Sequence, residues 1–413
     1  MGKSRDDFIY RREEGKELKT LPDEFTKPLF FRGDTFVCPN NLSLDPYCGC
    51  PHNCIFCFCR ELESTLFPAF YDDWKPTTYR PADLRYIERL LKKGNLEANP
   101  KGKMTKALKG GLPVALGCRS EPFLKGKKDT TMEVFKLLKD YDKKVIINTK
   151  SAWNQIKPYI DILSEIDVCF NISILPGSDK LNKLLEPNCE SATKRWGTIK
   201  LLSGQGLYAT ARLEPLLISI NDDNKLLNEY ADNVVFTGAK HICFYNYHTS
   251  RKPMAKTLFE KAGFDYDKLW KANEEKSWKR RGDIAFSIFR RHKIPTSNAD
   301  WFNFPWFSDC ESCCGTDLKW PEGFHHLTFQ HAIKLLKEKG RVSWDDMMNS
   351  KHIYATPNEL EMFRDLWNNR SKTYLSMVDL YDDYHIDLLE LDENGDAIWV
   401  KNEKGRKGLE EWF

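Results

Sequence analysis

The chain of 413 residues carries 13% aromatic and 41% hydrophobic residues, enough for one large core with an appendage or for two domains. A net charge of +3 is too small to argue by itself for nucleic acid, and no apolar run is long enough to span a bilayer. Thirteen cysteines, in a chain whose start (Met1-Gly2-Lys3-Ser4-Arg5) lacks the apolar stretch of a signal peptide, read as cytoplasmic metal or redox chemistry rather than disulfides.

Residues 1–35 are mixed-charge with weak periodicity, and are expected to form an arm on the main domain. An extended run, Phe36 to Asp45, leads into a glycine- and proline-bearing loop, Cys50-Pro51-His52-Asn53-Cys54-Ile55-Phe56-Cys57. Three thiolates at C-x3-C-x2-C spacing can hold three irons of a cubane cluster, leaving the fourth iron for a substrate or cofactor. The alternatives are a zinc site or three unrelated buried thiols. The spacing is not a usual one for structural zinc, and isolated buried cysteines rarely crowd so closely. The aromatic residues that follow (Phe67, Phe70, Tyr71, Trp74, Tyr79) read either as a cover that keeps water from the site or as ordinary packing.

From Asp83 the chain alternates. Helical patterns are expected at Asp83–Lys93, Thr131–Asp140, Ser151–Ser164, Ser191–Ser203 and Asp222–Asn233. Between them lie strand-like runs at Pro113–Gly117, Lys144–Thr149, Val168–Ile174, Leu207–Leu213 and His241–Tyr245. Apolar strands between amphipathic helices imply a parallel sheet with helices outside, in about six β/α units counting the strand before the cysteine loop. The segment from Arg80 to Lys109 holds nine basic residues against three acidic ones, which suits a phosphate-binding face or a solvated helix and loop.

The cysteine spacing, with Phe56 just before the third cysteine, resembles the radical S-adenosylmethionine (SAM) superfamily, and the text Pro46-Tyr47-Cys48-Gly49-Cys50 looks most like its spore photoproduct lyase branch. The resemblance covers residues 36–250 or so. It implies a partial (β/α)6 barrel of TIM type with its chemistry at the C-terminal strand ends. It implies a 4Fe–4S cluster on Cys50, Cys54 and Cys57, with SAM chelated at the open iron. Reductive cleavage of SAM would give a 5′-deoxyadenosyl radical that abstracts a substrate hydrogen, with flavodoxin or ferredoxin as electron donor. Phe56 would lie near the adenine. Ser120 and Glu121, after the second strand, would receive the SAM ammonium. Lys150 and Ser173 would meet its carboxylate or ribose. Leu185-Glu186-Pro187 and Arg212-Leu213-Glu214-Pro215 resemble turns of the same relatives.

Cys118 stands where the lyase has a cysteine that returns hydrogen to the product radical, although Arg119 and Glu121 depart from the lyase text. A buried small hydrophobe is the other reading of Cys118. The lyase's tyrosines flanking the third cluster cysteine are replaced by Phe56 and Phe58, which have no phenolic hydrogen. SAM regeneration through that relay is therefore not expected, and thymine-dimer reversal as such is unsupported. The substrate class implied is a nucleobase or nucleic acid; a peptide or small metabolite is the second choice, and a non-catalytic metal-binding interaction protein the third.

Past residue 250 a connecting segment, 251–326, contains Trp278–His292, whose basic residues alternate with Phe286 and Phe289 and suit either a single-stranded nucleic acid or helix packing. It also contains a second cysteine group, Cys310, Cys313 and Cys314, followed by His325, His326 and His331. The C-x2-C pair there suits zinc or a second iron–sulfur cluster, with Cys38, Cys48 or Cys59 as further ligands, or a set of reduced thiols. Residues 327–413 read as a small, mostly helical cap: helices at Leu327–Lys339, Ser343–Asn349 and Pro357–Asn368, then a hairpin turning at Asn394-Gly395. That order resembles a winged helix, but the acidic stretch Asp379–Asp392 argues against a DNA face.

Overall fold

A computed structural model describes residues 27–31, 38, 40–59, 80–124, 128–247, 253–274, 277–299, 309–310, 312–321, 328–349, 360–361, 363–365, 367–368 and 388–400. Most of the expected arm, the aromatic stretch Phe67–Tyr79, His325, His326 and most of the acidic stretch before Asp392 lie outside these residues.

One sheet of eight strands organises the described chain. Its strands, labelled in chain order, are β1 (Leu29–Phe31), β2 (Leu42–Leu44), β3 (Val114–Leu116), β4 (Val145–Thr149), β5 (Val168–Ser173), β6 (Tyr208–Leu216), β7 (Ile242–Asn246) and β8 (Thr296–Asn298). They lie side by side in that order, β1 antiparallel to β2 and all later neighbours parallel. Parallel neighbours require crossovers, and helices supply them. The five expected helices appear at Leu84–Leu96, Lys128–Asp140, Trp153–Ser164 (as two α pieces and a 3-10 turn), Ala192–Gly204 and Asn224–Thr237. Ser191 caps the fourth through the Lys194 N–H, and Gly238 ends the fifth in the left-handed conformation.

Strand alternation divides the sheet into two faces. Val114, Leu116, Val145, Ile147, Val168, Phe170 and Ile172 point toward the helices and join the main core. Ala115, Ile146 and Cys169 point to the other, inner face, where Cys314 and Trp320 pack on them. One layer up, the inner face is polar: Asn171 donates to Asn148 Oδ1 at 3.0 Å and Thr210 donates to Asn171 Oδ1 at 2.6 Å.

The sheet continues past residue 250. The helix Ser277–Arg291 packs Ala285, Phe286, Ile288 and Phe289 into the main core and feeds β8. The Phe286 and Phe289 rings are thus committed to packing, and Arg281 of the same helix pairs with Asp222 at 2.9 Å. Beyond it, helices Phe329–Lys339 and Trp344–Met348 accompany a three-stranded antiparallel sheet of Arg341–Val342, Ala397–Val400 and Leu388–Leu391. The described positions between 360 and 368 are helical as well.

Candidate metal centre

The loop bearing the three motif cysteines leaves a two-stranded ribbon, Tyr47–Cys48 against Arg80–Pro81. Gly49 (φ 104°) and Asn53 (φ 54°) adopt positive φ, which lets the chain turn tightly within the loop. Two anchors hold it. The Ile55 N–H donates to the Leu185 carbonyl at 3.0 Å, and Asn188 donates to the His52 carbonyl at 3.1 Å and to the Pro51 carbonyl at 2.9 Å. His52 Nε2 lies 2.8 Å from Glu121 Oε2, beyond the end of β3. Ile55 is buried among Leu175, Leu185, Leu217, Phe259 and Leu269, with Phe56 against the same cluster.

Cys54 is buried, and Cys50 and Cys57 are partly buried. Burial, followed by the Cys54 and Cys57 sulfurs and then Glu121, pushes the Cys50 thiol well above its ordinary range. Thiols that oppose one another's ionisation are the expected state of a ligand set before a cation displaces the protons. Among the described residues, only Cys54, Glu186 and Cys189 bring three donor atoms within 4.8 Å of one another. Cys50 and Cys57 do not belong to that group. Two cysteines and a glutamate there could chelate a metal, and the three thiols of the loop are the donor type an iron–sulfur cluster takes.

Two residues beside this loop carried no signal in the sequence. Cys189 Sγ sits 3.9 Å from Cys54 Sγ, and its bond pulls the Cys54 thiol down. It lies three residues after Glu186 in the turn singled out above, where its sulfur alone was the clue. Asp45, at the end of the run before the loop, accepts from Ser120 Oγ at 3.2 Å, while its Oδ2 is buried with no partner. Burial raises the Asp45 carboxyl to about 6 against the bonds from Arg119 and Ser120.

Glu121 is buried and fully engaged. Oε1 accepts from Thr149 (2.5 Å), Ser151 (3.1 Å) and the Phe123 N–H (3.1 Å), and Oε2 meets His52 and the Lys150 N–H (3.1 Å). Burial alone would raise it, but His52 and these donors hold it below the usual carboxylate range. Lys150 Nζ lies 2.6 Å from Glu186 and 5.4 Å from the Phe56 ring centroid. Arg195 bonds the other Glu186 oxygen and donates to the Ser173 carbonyl at 2.5 Å. The structure thus links Phe56, Glu121, Lys150 and Ser173 around the cysteine loop. Cys118 is close by: Ser43 Oγ donates to its sulfur at 3.3 Å, Asn148 Nδ2 does so at 3.7 Å, and Cys59 Sγ donates to its carbonyl at 3.7 Å.

The later cysteines lie elsewhere on the inner face. Cys313 bonds with Cys243, Cys314 and Cys38, whereas Cys310 bonds with Ser297. Cys243, mid-strand in β7, was not flagged from the sequence, because a lone cysteine in a strand reads as core.

No family model matches the chain, and no curated protein matches it. Solved structures are similar to it. One is SuiB from Streptococcus suis bound to S-adenosylmethionine: 15% identity, TM-score 0.38, covering 55% of this chain and 47% of that one. Another is spore photoproduct lyase complexed with dinucleoside spore photoproduct: 17% identity, TM-score 0.44, covering 63% of this chain and 76% of that one. The chain spans less than half the length of the SuiB structures it matches.

Proposed function

We propose that the chain is a radical SAM enzyme whose sheet is a partial (β/α)6 barrel, with Cys50, Cys54 and Cys57 as ligands of a 4Fe–4S cluster. The observation that carries the reading is one loop that sets Cys54 and Cys57 near enough to oppose the ionisation of Cys50 and is tied through His52 to Glu121, which also takes the Lys150 N–H past the end of β4. When bound, the cluster and SAM together supply reductive cleavage to a 5′-deoxyadenosyl radical, with flavodoxin or ferredoxin as electron donor.

The chain's own residues bind and orient. Glu121, tied to His52, sets the angle of the loop. Ser120, backed by Asp45, offers oxygen acceptors to the SAM ammonium beside Glu121. Lys150 carries three N–H donors, and Glu186 takes one, so the ammonium is aimed and can still meet a carboxylate. Phe56, over Lys150, provides an apolar surface for the adenine, and Ser173 lies at the end of the neighbouring strand. Cys118, oriented by Ser43 and Asn148, is the hydrogen donor to a substrate radical. An S–H bond is weaker than most C–H bonds, so the transfer runs downhill. The transfer leaves a Cys118 thiyl, and with phenylalanines at 56 and 58 no phenolic relay restores it, so an electron and a proton from an external reductant return the thiol and SAM is consumed at each turnover. The substrate class favoured is a nucleobase or nucleic acid.

Anaerobic reconstitution followed by dithionite and SAM should release 5′-deoxyadenosine from the wild type and none from Cys54→Ala. Absence of 5′-deoxyadenosine from fully loaded wild type would sink the reading. A product formed in D2O should carry solvent deuterium, delivered through the exchangeable Cys118 thiol, and Cys118→Ala should lose that label.

A further inference from the structure

The turn from Leu185 to Cys189 is laced to the motif loop, and the lacing sets a sulfur of one against a sulfur of the other. The Ile55 N–H donates to the Leu185 carbonyl, and Asn188 donates to the His52 and Pro51 carbonyls. Within the turn the Cys189 N–H donates to the Glu186 carbonyl at 3.1 Å, which curls the chain so that these two side chains, three residues apart, can meet. Cys54 Sγ and Cys189 Sγ are 3.9 Å apart, and a Glu186 carboxylate oxygen lies within 4.8 Å of both. All three residues are buried.

We infer that Cys54, Glu186 and Cys189 bind a single divalent transition-metal ion such as zinc, and that this ion and a cluster exclude each other because both need Cys54. The ion site stands on its own geometry, whereas the exclusion rests on the proposed function. Two thiolates about 2.3 Å from one tetrahedral ion stand about 3.8 Å apart, close to the separation of Cys54 and Cys189. A disulfide would need its sulfurs at about 2 Å, and sulfurs on different irons of a cubane stand farther apart, each pointing away from the cube. Two soft thiolates with one carboxylate select zinc or ferrous iron over magnesium and calcium, which take oxygen ligands. The fourth tetrahedral position falls to water, as in other zinc sites with three protein ligands. On binding, each thiol gives its proton to solvent. The three anionic ligands then exceed the charge of the ion by one, and Lys150 and Arg195, bonded to the two Glu186 oxygens, supply cations beside it. The same two bonds hold the carboxylate in one orientation, the outer support a ligating side chain needs. Each carboxylate oxygen keeps a lone pair for the ion. Cys189 is no part of the C-x3-C-x2-C motif, so changing it tests the ion site without removing a cluster ligand.

Cobalt(II) reports a tetrahedral thiolate site through visible d–d bands and a near-ultraviolet sulfur charge-transfer band. Titrated anaerobically into the reduced, metal-free full chain, it should give both bands in the difference between wild type and Cys189→Ala, saturating at one equivalent. Cys189→Ala should weaken binding at this site more than about 100-fold, because a direct ligand outweighs the outer partners whose loss costs up to that much. A Cys50→Ala, Cys57→Ala variant should keep the bands. Circular dichroism establishes that each variant is folded, and Cys189→Ser, nearly the same size, serves if the alanine variant is not. Zinc-loaded wild type should take up no iron and sulfide at the motif loop until a chelator removes the zinc, whereas Cys189→Ala should take them up in the presence of zinc. The ion site is overturned if Cys189→Ala binds cobalt as wild type does, or if the Cys50→Ala, Cys57→Ala variant loses the bands. The exclusion is overturned if zinc and the cluster load side by side. A wild type that binds cobalt here but never releases 5′-deoxyadenosine defeats the proposed function and leaves the ion site standing. Release of 5′-deoxyadenosine, with wild type and Cys189→Ala binding cobalt alike, defeats only the ion site.

Discussion

Glu186 is a buried carboxylate between two buried cations, Lys150 and Arg195, and the three are stable only together. Burial works against its charge, but Arg195 and then Lys150 prevail and hold the carboxyl down to about 2. A carboxyl depressed in the folded state stabilises fully above its ordinary value of 4.5, and that contribution is lost as the pH falls toward about 2. Glu186→Gln leaves two uncompensated charges, and we expect a loss of about 3–5 kcal/mol in urea unfolding at neutral pH. Its acid-unfolding profile should also be flatter between those two values. Asp45 has the opposite sign. Burial raises it from 3.8 to about 6, so the folded state keeps a proton that the unfolded chain gives up, and stability falls as the pH rises through that window. Asp45→Asn should remove that fall, seen as a melting temperature that no longer drops between the two pH values.

At the scale of elements, the turn after β3 sets where Cys118, Ser120 and Glu121 can stand. Gly117 has φ 75°, and a Cβ there would lie 1.9 Å from the Asn148 carbonyl oxygen. Gly117→Ala should cost about 1–3 kcal/mol for the backbone conformation alone, with the clash in addition. It should also lower iron loading at the motif loop, because Glu121 orients that loop through His52. Melting curves and iron content read the two effects separately. The inner strands were legible in the sequence because residues such as Val168, Phe170 and Ile172 fill a helix-covered face. Strand β8, Thr296-Ser297-Asn298, was not legible: its side chains are polar, and its place at the edge depends on β7 beside it and the apolar helix Ser277–Arg291 behind it. The motif cysteines are close in sequence and could be read from spacing. Cys189 and Cys243 stand at single positions and acquire partners only when a turn or a returning segment is folded against them.

At the scale of the whole molecule, the C-terminal hydrophobic core shares no residue with the core of the eight-stranded sheet. The larger lies between the eight-stranded sheet and its helices. The smaller gathers Val342, Trp344, Met347, Phe363, Trp367 and Trp399 within the C-terminal sheet and helices. At its centre Trp367 and Trp399 stack with centroids 4.5 Å apart and planes 4° apart, and Trp367 Nε1 donates to the Ala397 carbonyl at 2.6 Å. Cores without shared side chains unfold as separate cooperative units unless an interface couples them. Trp399→Ala removes a fully enclosed ring and should cost the C-terminal unit about 3–5 kcal/mol. Calorimetry should show two transitions in the wild type, of which only one moves in the variant, with iron loading of the sheet unchanged. A single transition that shifts as a whole would instead mean that the C-terminal unit is part of what holds the sheet together.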